Sequence, residues 1–454
     1  MRQTDDKLER RLGLFPVTNI VIANMIGAGI FTTSGLLMGD LQNPIAMIVL
    51  WVVGGVVALC GALSYGELGA AMPHAGGEYL FLSRLYSPVF GFLSGWVSFI
   101  VGFSAPIAAS SLGFSEYFTR AFPQIMGWST AINLPPALIK KGLAVLVIAL
   151  FTAVHLRGIE FGAKIQNGLT VLKVTLIVGL VAIGFALGNG DMQHFSQGQA
   201  FVLNFAGWKT LGLSLMWIMF GYSGWNASVY IGSEIKNPLK TLPRSLFLGT
   251  GIVLVLYVAL NILFVYAASP TKMQGVISIG GLAMRSLFGG PMEFVTSVLI
   301  SFALFSSLSA FIILGPRVYY AMAKDGYFFR FVSDVHPKFR VPTKAILLQA
   351  IISIIMVMSG TFDQILTYMG FSLGIFPILA VLGLFRQRRG ETPLRLFGFP
   401  FVQLIYIFVG LMILILSLLE RPVESSVAIL TVLVGIPIFF LFKKQKHITN
   451  GGKP

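Results

Sequence analysis

Apolar residues run along this chain in long stretches separated by short polar segments rich in Gly, Pro, Lys and Arg. A hydrocarbon core about 30 Å thick is crossed by roughly 20 helical residues, so these stretches have spanning length. Twelve spans are predicted, at approximately 14–37, 44–72, 87–114, 138–155, 162–187, 209–235, 243–268, 291–323, 342–359, 362–384, 398–419 and 424–442. The first and sixth are interrupted by small residues, at Ile26-Gly27-Ala28-Gly29-Ile30 and Phe220-Gly221-Tyr222-Ser223-Gly224. Inside hydrocarbon every backbone N–H and C=O needs an internal partner, so a helix unwinds at mid-depth only where protein or a polar cavity surrounds it. Glycine makes the unwinding sterically cheap. A matched pair of breaks, one in each half, is the pattern of a binding site between two repeats.

The expected fold is therefore an all-α integral membrane protein with a single polytopic domain. Residues 14–187 form a first five-helix unit, 209–384 a second, and 398–442 two further helices. Because five is odd, the second unit enters the membrane from the opposite side, an inverted repeat. The segment 73–88, with Gly76-Gly77 before Glu78-Tyr79-Leu80-Phe81-Leu82, reads as a short amphipathic helix after the second span, and 272–289 as another before the eighth.

With 56% hydrophobic and 11% charged residues, the composition excludes a soluble globule. The net charge of +15 is a topology signal rather than a nucleic-acid footprint. With the N-terminus on the cytoplasmic side, 24 of the 32 Lys and Arg fall on inner segments and seven on outer ones. That asymmetry fits a cell-membrane protein with both termini cytoplasmic. The first thirteen residues are polar and the apolar run after them is of spanning length, so no cleavable signal is expected. Cys60 is the only cysteine, which excludes an intramolecular disulfide and a Cys-based metal site, and neither metal nor cofactor is expected.

One charged residue stands apart. Lys173 lies about eleven residues into the fifth span, roughly 16 Å deep at 1.5 Å per residue. A lysine there costs at least ~2.5–3.5 kcal/mol, so it must face the bundle interior and find oxygens. With no carboxylate expected at that depth, the partners are unwound carbonyls of the first span and hydroxyls such as Ser306 or Ser307. An ammonium fixed in that space disfavours a bound Na⁺. It acts either as a fixed cation or as a carrier of a coupled proton.

Each break also offers free C=O groups at the end of one half-helix and free N–H groups at the start of the next. An α-amino acid complements both: carboxylate on the amides of Ala28, Gly29 and Ile30, ammonium on carbonyls near Ile26 and Phe220–Tyr222. The expected substrate-binding set is Ile26 to Ile30 and Phe220 to Gly224, and the absence of a deep acid favours a neutral side chain. Phe220, at the second break, is the expected lid. Glu67 and Glu234, near the ends of the second and sixth spans, are candidates for an inner gate closed by ion pairing.

At these residues the chain resembles the amino acid–polyamine–organocation superfamily, in particular L-type amino acid transporters and their prokaryotic relatives. The likeness covers roughly residues 12–395 and is carried by Ile26-Gly27-Ala28-Gly29-Ile30-Phe31, Gly61-Ala62-Leu63-Ser64-Tyr65-Gly66-Glu67-Leu68-Gly69, Phe220-Gly221-Tyr222-Ser223-Gly224-Trp225-Asn226 and Glu234-Ile235-Lys236-Asn237-Pro238. The resemblance implies a LeuT-like fold, Na⁺-independent amino acid exchange or proton-coupled uptake, a lysine standing in for a sodium ion, and an aromatic lid matching Phe220. Ala28 departs from the Ser or Cys frequent in the family and removes a hydroxyl. The partners implied are an amino acid and the bilayer, with no nucleic acid. No obligate subunit is expected, since no outer-loop cysteine is present to link one. Polyamine or cationic amino acid uptake is the alternative within transport. A membrane-embedded enzyme would need a deep His/Asp/Glu cluster, and His74, His155, His194, His336 and His447 all fall at predicted helix ends or in loops.

Overall fold

The structure, a computed structural model, describes residues 8–131, 134–200, 204–276, 278–359, 362–390 and 394–450; the side chain of Ala28 lies outside the description. Among these residues the regular structure is helical, with two isolated backbone bridges, Leu12 to Ile235 and Ala75 to Ile231. The first half holds α1 (Leu14–Met25), α2 (Ala28–Leu41), α3 (Pro44–Ala71), α4 (Glu78–Leu85), α5 (Pro88–Val97), α6 (Ala105–Ala121), α7 (Gln124–Ala131), α8 (Pro136–Leu156) and α9 (Ile159–Leu187). The second holds α10 (Phe205–Gly221), α11 (Pro238–Ala267), α12 (Pro270–Met273), α13 (Ile279–Phe288), α14 (Met292–Lys324), α15 (Thr343–Ser359), α16 (Phe362–Gln387), α17 (Phe401–Glu420) and α18 (Pro422–Asn450). Proline recurs at the first helical position, in α3, α5, α8 and α11, where its missing N–H costs nothing.

Among the described residues nine helices are long and apolar enough to cross a membrane, counting α1 with α2 and α5 with α6 as single spans. They fall on nine of the predicted stretches; α10, α15 and α16 occupy the other three. α10 stops at 17 residues because the second break ends it. The expected short helices are α4 and α13.

The distribution of polarity is inverted relative to a water-soluble protein. Val52, Val53 and Val56 on α3, Leu146 and Leu150 on α8, and Ile351 and Ile355 on α15 are exposed, while Asn19, Asn24, Gln166, Thr170, Lys173 and Arg317 are buried. An apolar surface of that extent is stable only against lipid. The chain is a multi-pass membrane protein.

Between α5 and α6 the helix widens into a π-helical stretch, Ser98–Ser104. Its cause is Pro106, which lacks an amide proton and whose ring clashes with the carbonyl four residues back. The Ser104 hydroxyl compensates by donating to Phe99 O at 2.7 Å.

On the side where the described chain begins, residues 10–12 clamp the segment that follows α10. The Arg11 and Leu12 amides donate to Glu234 O at 2.9 Å, Lys236 N donates to Leu12 O at 2.8 Å, and the Arg10 guanidinium reaches Ile235 O at 3.1 Å.

Candidate functional site

The first break is short. α1 ends at Met25, Ile26 and extended Gly27 bridge the gap, and α2 starts at Ala28. Its carbonyls are already in use. Lys173 Nζ donates to Ile26 O at 2.5 Å, Ser307 Oγ at 2.9 Å and Ala23 O at 3.4 Å, while the Ser307 hydroxyl itself donates to Ile26 O at 2.6 Å. Ile26 O thus receives two donors and has no lone pair left for a ligand ammonium. The Tyr257 hydroxyl sits between Met25 O (2.7 Å) and Gly221 O (3.0 Å), tying the first break to the second. Lys173 therefore meets the oxygens expected of it, with one refinement. Ser307 is its partner, whereas Ser306 accepts from Gln166 Nε2, shares a hydrogen bond with the Thr170 hydroxyl and joins α9 to α14 alongside.

The second break differs from expectation. No α-helix resumes after Gly221. The chain passes through turns into two 3₁₀ segments, Ala227–Tyr230 and Gly232–Glu234, and reaches α11 only at Pro238. There is consequently no fresh helix N-terminus at Tyr222–Gly224 to supply amides. Gly224 has φ +96, and a Cβ there would lie 2.1 Å from Asn24 Oδ1. The glycines also do another job than expected. A Cβ on Gly29 would stand 2.9 Å from the Gly221 Cα, so these two residues let α2 and α10 cross at backbone contact. Gly29→Val and Gly224→Val are accordingly expected to abolish substrate binding by driving the broken helices apart, with a loss of melting temperature in detergent. Wild-type melting for Gly29→Val would refute the packing role.

A cavity opens beside the breaks. Of the expected binding residues, Phe220, Ser223 and Gly224 line it; Ile26, Gly27, Gly29, Ile30, Gly221 and Tyr222 are not among its lining residues. Tyr222 is instead fully buried, packed edge-on to Trp51 and donating to Trp51 O at 2.9 Å. Ala28 is the first residue of α2.

The cavity wall also carries groups that the sequence did not single out. Asn24 faces it from the end of α1, and its Nδ2 has no hydrogen-bond partner although the residue is buried. Asn226, Tyr230 and Tyr406 join from the second half. Most consequential is Glu78, the first residue of α4, which is 5% exposed and lines the cavity. Its Oε1 accepts from the Tyr65 hydroxyl at 2.9 Å and from Asn226 Nδ2 at 2.6 Å. This corrects the expectation that no carboxylate reaches the site. The acid arrives from a nominal loop rather than from a span, because Gly76 (φ +117) and Gly77 (φ +53) turn the chain inward and Gly76 N donates to Tyr230 O at 3.2 Å. Gly76-Gly77 before an acid was the available signal. Burial pushes the Glu78 carboxyl above its ordinary value, against the hydrogen bonds that favour its charged form.

Both expected gate carboxylates are ion-paired. Glu67 binds Arg388, with a further bond from Leu396 N at 3.1 Å. Glu234 takes a bidentate pair from Arg317 at 2.8 and 2.9 Å, with both side chains essentially inaccessible. Arg317 lies inside α14, so Lys173 is not the only charge buried within a span. Among the described residues no His, Cys, Asp or Glu cluster could hold a metal ion.

A broken-helix pair meeting at a buried cavity, in a bundle with a lipid-facing apolar surface, defines the class as a solute permease. The profile of the amino acid permease family matches residues 12–441, and the chain belongs to that family. It is 28% identical to the serine/threonine exchanger SteT of Bacillus subtilis, over 98% of this chain and all of the relative. It is 27% identical to the mouse b(0,+)-type amino acid transporter 1 (97% and 89% covered) and 26% identical to the human large neutral amino acids transporter small subunit 2 (97% and 82%). These relatives are transporters, not enzymes.

Proposed function

We propose that this chain is a secondary active transporter of small or medium neutral L-amino acids in the plasma membrane, working by alternating access without Na⁺. The observation that carries the reading is the meeting of the two helix breaks, Gly29 against Gly221 and Asn24 against Gly224, at the edge of one cavity. The fold proposed is twelve spans in a LeuT-like arrangement, with 14–187 and 209–384 as inverted units rocking about this point and both termini cytoplasmic. The cavity wall is largely apolar, with Val57, Val97, Phe103, Met216 and Ile413, which favours an uncharged side chain. The free Asn24 Nδ2 on the cavity wall offers a donor for the substrate carboxylate. Lys173 serves as a fixed cation: its three protons meet three oxygens and it is not among the residues lining the cavity, which favours exchange over proton carriage by this residue. Glu67–Arg388 and Glu234–Arg317 would hold the cytoplasmic end closed. No partner subunit enters the mechanism.

Proteoliposomes loaded with unlabelled serine or leucine should take up the labelled amino acid in Na⁺-free buffer, and empty ones much less. Equal uptake in both would exclude exchange. Phe220, half-buried on the cavity wall, is proposed to cover the ligand. Phe220→Ala should lower kcat/KM by roughly tenfold or more, the scale of one aromatic contact of ~1.5 kcal/mol, while the melting temperature barely moves. Unchanged uptake kinetics would return the ring to packing.

A further inference from the structure

The loop that leaves α14 meets the last turns of α18 on one surface of the bundle. The Tyr327 ring stacks on Phe439 at 5.2 Å between centroids, and Phe442 stands 5.8 Å from Phe328 and 5.2 Å from Phe329. These contacts gather basic residues that are far apart in the chain. Arg330 follows Phe329 and opens a 3₁₀ turn, Arg330–Ser333, while Lys443 and Lys444 follow Phe442; all three are exposed. Residues four apart share a helix face, so Lys443 stands one turn beyond Phe439 on the face turned to that loop. The acids of the same segment are engaged elsewhere: Asp325 accepts from the Tyr79 hydroxyl at 2.6 Å, and Asp334 pairs with Lys344. Among the described residues no carboxylate forms an ion pair with Arg330, Lys443 or Lys444.

Positive charge at the end of a span sets topology, but topology does not require bare aromatic rings beside the charge. Here Phe329 and Phe331 are 47% and 49% exposed, with their ring centroids 5.8 Å apart and Arg330 between them in the chain. Rings so exposed are costly against water. At the level of lipid headgroups they face acyl chains while the neighbouring cations reach the aqueous side, and both halves are satisfied. The complementary molecule is an amphiphile with apolar tails and an anionic head. A zwitterionic lipid brings its own ammonium and neutralises nothing, and a free phosphate leaves the rings uncovered.

We propose that Arg330, Lys443 and Lys444 together hold the headgroup of an anionic phospholipid, with its acyl chains against Phe329 and Phe331. The lipid bridges the loop after α14 to α18, a helix that belongs to neither five-helix unit. The inference needs only a multi-pass membrane protein, so it stands apart from the transporter reading.

The test titrates phosphatidylglycerol, phosphatidylcholine with the same acyl chains, or inorganic phosphate into the purified full-length protein in detergent and follows the melting temperature. Phosphatidylglycerol should raise it, and the other two should not. In the triple variant Arg330→Gln, Lys443→Gln, Lys444→Gln the mole fraction of phosphatidylglycerol giving half the effect should rise at least about tenfold, since each basic residue near an anionic headgroup is worth roughly fivefold. Its melting temperature without lipid should stay at the wild-type value, because the three side chains are exposed. If the triple variant melts early without lipid, Arg330→Gln alone carries the test, with an expected rise of roughly fivefold. Replacing Lys236, Lys240 and Arg244 by Gln removes an equal exposed charge around the start of α11 and should leave the response unchanged. A wild type that does not distinguish phosphatidylglycerol from phosphatidylcholine would overturn the proposal. Equal losses in the two triple variants would do so too, reducing the effect to general surface charge. A response to inorganic phosphate as large as that to phosphatidylglycerol would assign the cations to a free anion instead of a lipid.

Discussion

Lys173→Ala is expected to reduce transport by at least about tenfold in proteoliposomes while leaving a monodisperse, folded protein. The side chain supplies three hydrogen bonds from a charged donor, each worth about 1.5–3 kcal/mol, and two of them end on the carbonyls of the first break. A tenfold change corresponds to about 1.4 kcal/mol, so the loss of even one of these bonds from the conformation that binds substrate reaches that threshold. Without the ammonium, Ile26 O retains only the Ser307 hydroxyl, and α9 no longer fixes where α1 stops. Lys173→Met keeps the stem and removes the charge; it should behave like alanine if the oxygens matter and like wild type if packing does. Wild-type rates in both variants would discard the lysine as part of the mechanism.

The second large effect is on stability. Glu234 and Arg317 form a bidentate pair with 0% and 1% side-chain exposure, and Arg317 also donates to Ile313 O at 2.8 Å. Removing one partner strands an uncompensated buried charge, which costs about 3–5 kcal/mol. Arg317→Ala and Glu234→Ala should therefore each lower the melting temperature sharply in detergent. Replacing both residues together by Met and Leu should cost much less than either single change, because no charge remains to be desolvated. Additive losses in the double variant would show that the pair contributes through packing rather than through charge.

Spans were readable in the sequence because length and hydropathy are local properties, and lipid enforces them strongly. The breaks and the depth of Lys173 were readable for the same reason: glycine and a lone cation in hydrocarbon are both anomalies. What depended on packing between distant elements was not. Ser306 and Ser307 are adjacent in the chain, and only the rotation of α14 decides that Ser307 meets the ammonium. Gly29 and Gly221 look like ligand space until their helices are seen to touch. Glu78 stands outside every predicted span, so a reading that ranks acids by depth along helices passes over it. A pair of left-handed glycines and a backbone bond to Tyr230 bring it in.

The widened turn at Ser98–Ser104 has a consequence for the cavity wall. Ser94, Ser98, Gly102 and Pro106 all line the cavity, at intervals of four residues. In an unbroken α-helix each step of four overshoots a full turn by about 40°, so a helical wheel would turn Pro106 roughly 120° away from Ser94. The π stretch absorbs that drift and keeps one continuous stripe facing inward across two helices. Deleting a single residue from it would place Pro106 eleven residues after Ser94, within about 20° of the same face of a regular helix, so the widening accommodates one extra residue without turning α6 away from the cavity. That wall thus owes its continuity to one widened turn, as much as to the side chains it carries.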